Sequence, residues 1–227
     1  MDFKDTQQEA EFRIEAAKWL GENIPTDAEL EGLDHIQRAK LWQKRKYDAG
    51  WACIRWPKEH GGRGANAIEQ VIFDQEQGKY KTPDSIFGIG QGMCAPTMMA
   101  WANEDQNKQY MPALASGEHV WCQLFSEPAG GSDLAALRMR AVKDGDDWVV
   151  NGQKIWTSGA HYSDYGVLVL RTDPDMPKHQ GLTYFFLDMK SPGIEIKPIR
   201  QISGGANFNE VYFTDVRIPD AQRLGAV

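Results

Sequence analysis

The residue pattern of this chain changes near residue 120, and this change constrains the fold more than any other feature. Before it, apolar residues recur at helical spacing, beginning after a capping box at Thr6–Glu9. After it, short runs rich in β-branched and aromatic residues alternate with turn residues. The sequence therefore predicts an α+β fold: an all-helical domain over residues 1–120 and a β-barrel or β-sandwich domain over residues 121–220.

The individual elements are predicted from apolar spacing and turn signals. One helix follows the capping box, and others are predicted over 34–49, 66–78, 84–102 and 104–115. In the 66–78 segment the helical period is given by Ile68, Val71 and Ile72, which are expected on its buried face. Strands are predicted over 137–143, 146–151, 167–170, 182–187, 194–199 and 207–213. Asp144-Gly145 indicates a type I′ turn between the first two strands, because both residue types adopt positive φ readily. Residues 221–227 are predicted to begin a linker to a further domain.

Composition excludes several functional classes. The 227 residues are 41% hydrophobic and 25% charged, with a net charge of −7, so the broad basic surface of a nucleic-acid-binding protein is missing. There is no apolar run long enough for a transmembrane helix. The opening residues resemble neither a signal peptide nor a transit peptide, which favours a cytoplasmic location. The three cysteines are far apart and predict neither a disulfide framework nor a metal site.

The first segment with chemical content is Trp121–Asp133. Its Gly130-Gly131-Ser132-Asp133 loop allows backbone N–H groups to converge on an anion such as a phosphate. It is not a Walker loop, since no Gly-Lys-Ser/Thr follows. Taken alone, a Gly-Gly-Ser sequence is more often an ordinary loop.

The second segment is Asn151–Gly159. The Asn151-Gly152 turn signal leads into a short strand that ends with Trp156 beside two hydroxyl residues. An indole can cover a planar cofactor while a hydroxyl or backbone N–H bonds to its polar edge. A tryptophan buried in the core of a sheet is the alternative, and from this segment alone it is the more frequent one.

Taken together and in this order, the two segments resemble the acyl-CoA dehydrogenase family. The family's S/T-E-P-x-x-G-S-D flavin motif matches residues within Gln123–Asp133, and its N-G-x-K-x-W-x-[ST] motif matches Asn151–Ser158. Met111–Glu118 and Phe208–Pro219 add to the likeness, which extends over the whole chain. The resemblance implies an N-terminal helical domain, a flavin-binding middle β domain and FAD as cofactor.

The resemblance also implies roles for the residues of the first motif. Gln123, Phe125 and Ser126 match positions along the isoalloxazine ring of the flavin. Gly131 and Ser132 match positions at the flavin pyrophosphate, and Ser132 also matches a position near the CoA thioester arm. Ser132 is therefore expected to contact both cofactor and substrate.

Further positions can be assigned in the second motif and in the helical domain. Trp156 matches the aromatic residue on the dimethylbenzene side of the flavin, and Thr157 and Ser158 match positions beside N5. In the helical domain, Met93 lies in a Gly-rich stretch that is predicted to contribute to the acyl pocket. Methionines in a helical segment are more often plain core residues.

The implied activity is α,β-dehydrogenation of an acyl-CoA thioester to the trans-2-enoyl-CoA, in fatty acid metabolism. A carboxylate base takes the α-proton, hydride passes from Cβ to flavin N5, and electrons go on to an electron-transferring flavoprotein. The base is expected in a third, helical domain absent from this chain, so no catalytic residue is assigned here, and Glu127 is expected to be structural. The family resemblance further implies a homo-oligomer, either a tetramer or a dimer.

Two alternatives keep the same fold. One is an acyl-CoA oxidase, in which oxygen accepts the electrons. The other is a noncatalytic subunit that binds flavin or CoA and pairs with an active partner.

Overall fold

The computed structural model describes residues 4–225, which form two compact units. One unit comprises the residues up to Ile86 together with Met111–Glu118. The other comprises Phe87–Tyr110 and the residues from His119 onward. The helix α6 (Glu104–Ser116) contributes residues to both. The domain limits drawn from the sequence, 1–120 and 121–220, stay a prediction, and residues 1–3 lie outside the described residues.

The first unit is helical. Its helices are α1 (Gln7–Asn23), α2 (Asp27–Leu30), α3 (His35–Asp48) and α4 (Ala67–Gln77). Each of these four begins with a capping box, in which the N-cap side chain and the side chain three residues later satisfy each other's backbone N–H groups. The predicted capping box at Thr6–Glu9 is confirmed. The core of this unit contains Ala16, Leu20, Trp42, Trp51, Ile54 and Phe73.

Two details of this unit differ from the sequence prediction. Helix α2 was not predicted, since four residues are too short to show a period. In α4, Ile68 and Val71 were expected on the buried face with Ile72, yet both are about half exposed. The buried face is formed instead by Ile72, Phe73 and Glu76, because Phe73 turns this side of the helix toward the core of the unit.

The second unit contains a helical segment that ends in α5 (Ala95–Trp101). Gly90–Cys94 forms a π-helical turn directly before it. The predicted helix over 84–102 is therefore right for most of its length, but residues 84–87 are not helical. Such π-turns occur frequently at functional sites.

The second unit also contains an eight-stranded sheet. Its strands are β1 (Trp121–Leu124), β2 (Arg140–Asp144), β3 (Asp147–Ser158), β4 (Tyr165–Arg171), β5 (Leu182–Asp188), β6 (Ile194–Ile199), β7 (Phe208–Pro219) and β8 (Arg223–Leu224). The order is β6-β7-β3-β2-β4-β5-β8, with β1 parallel to β4. Over the described residues the sheet does not close, so the helical-then-β fold class is confirmed and, of the two forms predicted for the β domain, the closed barrel is not found.

The hairpin between β2 and β3 corrects one turn prediction. Asp144 pairs with Asp147, so the central residues are Gly145 and Asp146 rather than Asp144 and Gly145. Only Gly145 has a positive φ, which is the pattern of a type II′ turn and not of type I′.

The C-terminal strands extend further than the sequence predicts. Strand β7 continues through Pro219, because its second half pairs with the long strand β3. Arg223 and Leu224, within the stretch predicted to begin a linker, pair with β5. Residues 226 and 227 of that stretch lie outside the described residues. Among residues 4–225, no helix is long and apolar enough to cross a bilayer.

Candidate flavin site

The two segments singled out in the sequence meet along strand β3. The backbone N–H of Ile155 donates to the carbonyl oxygen of Ser126 at 2.9 Å. One residue earlier, Lys154 Nζ donates to the carbonyl oxygen of Phe125 at 3.0 Å. The part of the first motif that directly follows β1 is therefore fixed against the middle of the second motif.

A buried ion pair lies behind this junction. Lys154 is fully buried, and its Nζ donates to Glu127 Oε1 at 2.9 Å. Glu127 also accepts hydrogen bonds from the backbone N–H groups of Arg138 and Met139, at 2.7 and 3.0 Å. Burial lowers the pKa of Lys154, and the Glu127 carboxylate opposes that shift. Glu127 is thus committed to structural contacts, as the sequence analysis expected, and is poorly placed to act as a free base.

Strand β3 carries two irregularities in its pairing with β7. The first lies between Val150 and Gly152, and the second between Lys154 and Thr157. Gly152 has a φ of 139°, and a Cβ at this position would lie 2.9 Å from Met139 Cγ, so the first irregularity requires glycine. The second places Trp156 outside the regular ladder. Bulges of this kind often redirect a side chain next to an active site.

Trp156 is strained and exposed. Its φ is 62°, a left-handed conformation that a bulky side chain rarely adopts. Its side chain is 56% exposed, and its ring makes an edge contact with Phe208 at a centroid distance of 6.1 Å. The buried core tryptophan considered as an alternative is therefore wrong. Strain of this kind concentrates at functional sites, since the fold must stabilise it elsewhere.

Thr157, the next residue, is buried but incompletely bonded. Its Oγ1 has no hydrogen-bond partner among the described residues. Its carbonyl oxygen accepts a hydrogen bond from Asn209 Nδ2 at 2.9 Å. His161 Nδ1 lies 3.0 Å from Asn209 Oδ1, a bond that requires the proton on Nδ1 because Oδ1 can only accept. Ser158, which follows, is partly buried and pairs with Phe208.

The glycine loop of the first motif is open to solvent. Gly131 and Ser132 are both exposed. A Cβ on Gly131 would lie 3.1 Å from Ser126 Oγ, so the loop folds back closely over the serine that precedes it. The absence of a side chain at Gly131 permits this approach, and the exposed backbone of Gly131 and Ser132 beside Ser126 is called the glycine cradle.

A second loop, residues 172–181, braces the glycine loop. Arg171 donates to the carbonyl oxygens of Ala135 and Leu137 on one side and of Lys178 and Gln180 on the other. Lys178 Nζ also lies 2.7 Å from Asp133 Oδ2, and this hydrogen bond lowers the pKa of Asp133. The positive charge of Lys178 therefore lies beside Asp133, the residue that follows Ser132 in the sequence.

The expected acyl-pocket residue lies in the same unit as these motifs. Phe125 makes an edge contact with Tyr184 at 6.0 Å between centroids, and a side-chain hydrogen bond links Tyr184 to Thr97. The Thr97 hydroxyl donates to the carbonyl oxygen of Met93 at 3.0 Å. Met93 is 50% exposed, in contrast to the buried core position of Met98. Gln123, two residues before Phe125, is partly buried and pairs with Val167.

Family models match both parts of the chain. Residues 6–118 match the N-terminal domain of acyl-CoA dehydrogenases, and residues 122–216 match their middle domain. The chain belongs to the acyl-CoA dehydrogenase family. The resemblance drawn from the two motifs is thereby confirmed.

Individual relatives place the chain within the family. It is 38% identical to the acyl-CoA dehydrogenase IpdE1 of Mycobacterium tuberculosis, over 97% of this chain and 59% of that protein. The structure called Tcur3481-Tcur3483 steroid ACAD matches with a TM-score of 0.83 and 32% identity, over all of this chain and 59% of that one. The ChsE4-ChsE5 complex of Mycobacterium tuberculosis matches with a TM-score of 0.82 and 34% identity, over 100% of this chain and 58% of that one. The chain thus spans somewhat more than half the length of these relatives.

The local structure fits a flavin of the kind that acyl-CoA dehydrogenases bind. A buried hydroxyl without a partner among the described residues, an exposed indole and an exposed glycine-serine backbone all occur on the two motifs. A planar, polar-edged ring and a pyrophosphate need those three features. Among residues 4–225, no group of three or more histidine, cysteine or acidic side chains is placed to hold a metal ion.

Sequence reasoning missed four supporting residues: Lys154, Arg171, Asn209 and His161. Lys154 lies inside the second motif, two residues before Trp156. A lysine in a predicted strand was the one sequence signal that pointed to a supporting role. Asn209 and Arg171 lie in ordinary strands, where only the three-dimensional pairing shows what they contact.

Proposed function

We propose that this chain forms the flavin-binding part of an FAD-dependent acyl-CoA dehydrogenase. The observation that carries the proposal is the junction of the two motifs, where Ile155 bonds to Ser126 and strained Trp156 is presented beside the buried hydroxyl of Thr157. The chemistry that FAD supplies when bound is acceptance of a hydride from the substrate β-carbon.

Each residue of the site has a part in this proposal. Backbone and hydroxyl groups of Gln123, Phe125 and Ser126 bind the polar edge of the isoalloxazine. Trp156 covers its dimethylbenzene side and excludes water from it. Thr157 and Ser158 donate hydrogen bonds at the edge that accepts the hydride. The buried, unpartnered hydroxyl of Thr157 supports this role, because such a group calls for a bonding partner.

The phosphates and the substrate take the remaining positions. Gly131 and Ser132 offer backbone N–H groups and a hydroxyl to the pyrophosphate, with Ser132 also reaching the thioester arm of acyl-CoA. Met93 lines the acyl group. No residue of this chain is assigned as the base that removes the α-proton. An electron-transferring flavoprotein takes the electrons, and a homo-oligomer, tetramer or dimer, belongs to the same proposal.

An anaerobic visible spectrum of the purified full protein tests this function. The spectrum is taken before and after adding a panel of acyl-CoA thioesters, including thioesters of steroid side-chain acids, since one similar structure is named a steroid ACAD. Flavin absorbance that one thioester bleaches is the expected result. Protein that stays colourless after incubation with FAD contradicts the proposal.

A second candidate is a flavin-binding subunit that pairs with a different, active subunit. The two similar structures favour it, because one is named a complex of two proteins and the other carries a two-part name. This candidate predicts flavin absorbance that no thioester bleaches until the partner subunit is added. Bleaching by the isolated protein contradicts it.

A further inference from the structure

Lys154 is a buried cation that the proposed chemistry does not use. It is fully buried in strand β3, where it pairs with Val211 immediately before the bulge that redirects Trp156. A buried ammonium is costly unless it is paired and fully bonded. Its retention at this point of the strand calls for a physical explanation.

The contacts of Lys154 supply that explanation. Its Nζ donates to Phe125 O at 3.0 Å and to Glu127 Oε1 at 2.9 Å, so one ammonium holds both ends of a three-residue segment. Between them, the Ser126 carbonyl accepts from Ile155 N at 2.9 Å. The segment Phe125–Glu127 is thereby fixed to the strand residues just before Trp156.

Glu127 is held from the opposite side as well. Its two carboxylate oxygens accept from the backbone N–H groups of Met139 and Arg138, and its own backbone pairs with Gly130 across the turn of the first motif. The pair therefore connects three pieces of chain: the first motif, the segment that leads into β2, and the bulged strand β3. Movement of any one of them would break a buried charge-assisted hydrogen bond.

We propose that Lys154 is a positioning residue that sets the spacing between the two flavin-binding segments. This inference rests on the proposed function. Lys154 acts through Phe125 and Ser126 on one side and through Trp156 on the other, and it does not touch the flavin itself. A rigid connection of this kind keeps the hydrogen-bond donors of the site in place before the cofactor arrives.

The decisive variant is the double substitution Lys154→Met with Glu127→Gln. It removes the ammonium and the carboxylate together, so neither charge is left buried alone, and the substituted amide retains one oxygen that can accept from the backbone N–H of Met139 or of Arg138. Lys154→Met alone leaves an unpaired buried carboxylate and serves only as a stability comparison. Lys154→Arg keeps the charge and the donors and is the conservative variant. Lys190→Met is the matched control, because Lys190 is an exposed lysine in an ion pair of the same unit.

Three measurements are made on the full protein: the melting temperature without flavin, the dissociation constant for FAD, and the visible spectrum and reduction potential at saturating FAD. We expect the double variant to melt cooperatively and to bind FAD about tenfold more weakly, the effect of misplacing about one hydrogen-bonded contact. At saturating FAD its visible band shifts and its reduction potential falls, because displaced donors stabilise the added negative charge less well. Lys154→Arg recovers part of the loss, and Lys190→Met matches the wild type.

A purely structural role would lower the melting temperature alone. A double variant that binds FAD with wild-type affinity and has the wild-type spectrum and potential overturns the inference. If the double variant does not fold, the folded Lys154→Arg protein decides instead. FAD binding weaker than in the wild type, with a shifted spectrum and potential, supports the inference, and wild-type affinity, spectrum and potential overturn it. A wild-type protein that binds no FAD refutes the proposed function instead, so the two failures are distinguishable.

Discussion

Asn209 Nδ2 donates a hydrogen bond of 2.9 Å to the carbonyl oxygen of Thr157, and Asn209 is fully buried. Thr157 and Asn209 are register partners at the point where β3 returns to register after its bulge, and this side-chain bond adds to their pairing. Replacing Asn209 with Ala leaves the Thr157 carbonyl without this donor, which costs about 1–3 kcal/mol of unfolding free energy. Urea denaturation of the variant checks the value.

The Asn209 prediction has a second part. Loss of this bond allows the Thr157 backbone to move, and its hydroxyl moves with it. FAD affinity should therefore fall along with the free energy of unfolding. The exposed substitution Glu195→Gln on the neighbouring strand β6 serves as the control and should change neither quantity. An Asn209→Ala protein with unaltered stability would show that the bond contributes nothing.

The strain at Trp156 predicts an unusual order of stabilities. Trp156→Ala and Trp156→Gly both remove the indole, and both should weaken FAD binding. Glycine adopts the φ of 62° without strain, so Trp156→Gly should be more stable than Trp156→Ala by about 1 kcal/mol. Thermal and urea unfolding of the flavin-free variants measure the difference. The reverse order, or FAD binding as tight as in the wild type, would contradict this assignment.

A methyl group at Gly131 tests the cradle. In Gly131→Ala the new Cβ would lie 3.1 Å from Ser126 Oγ, which forces the serine hydroxyl aside. We expect FAD binding to weaken by about 1–2 kcal/mol while the fold is retained, since both residues lie near the surface. Gly205→Ala, where the added Cβ makes only ordinary contacts, is the control. Titration of FAD by fluorescence quenching measures the effect. Equal affinities in the two variants would show that FAD binding does not depend on the close approach of Gly131 to Ser126.

The cysteines should be unreactive in the native protein. Burial raises the pKa of Cys122 to about 12 and raises the pKa of Cys94 above its ordinary value as well. The thiolate that reacts with iodoacetamide is therefore scarce at pH 8. Mass spectrometry should find both residues unmodified in native protein and alkylated after unfolding in urea. Rapid alkylation of Cys122 before unfolding would be inconsistent with its buried place in the sheet.

Local signals in the sequence predicted the fold class well. The capping box at Thr6 and the apolar positions of α1 are short-range features, and both appear in the structure. The closed barrel was not found, because closure depends on whether distant strands pair, and period-2 patterns are the same in open and closed sheets. The reversed expectation for Ile68 and Val71 has a related cause, since two candidate faces of α4 differ only in what lies opposite them.

The site was predictable to the extent that its residues lie in two continuous motifs. Trp156 and Thr157 were singled out by their order along the chain, but the left-handed φ of Trp156 could not be read from residue types. The role of Lys154 was missed because a lysine in a strand is usually solvated, and only the sheet register shows that its side chain is enclosed. Whether the assigned residues bind FAD stays a prediction.

The Lys154–Glu127 pair also has a consequence for how the sheet assembles. Side chains alternate between the faces of a strand, so a slip of β3 by one residue against β7 would carry Lys154 away from Glu127. One or both charges would then be enclosed without a counter-ion, a far larger penalty than misplacing an apolar residue. The native register of β3 is therefore favoured by the same pair of residues that fixes the two motifs against each other.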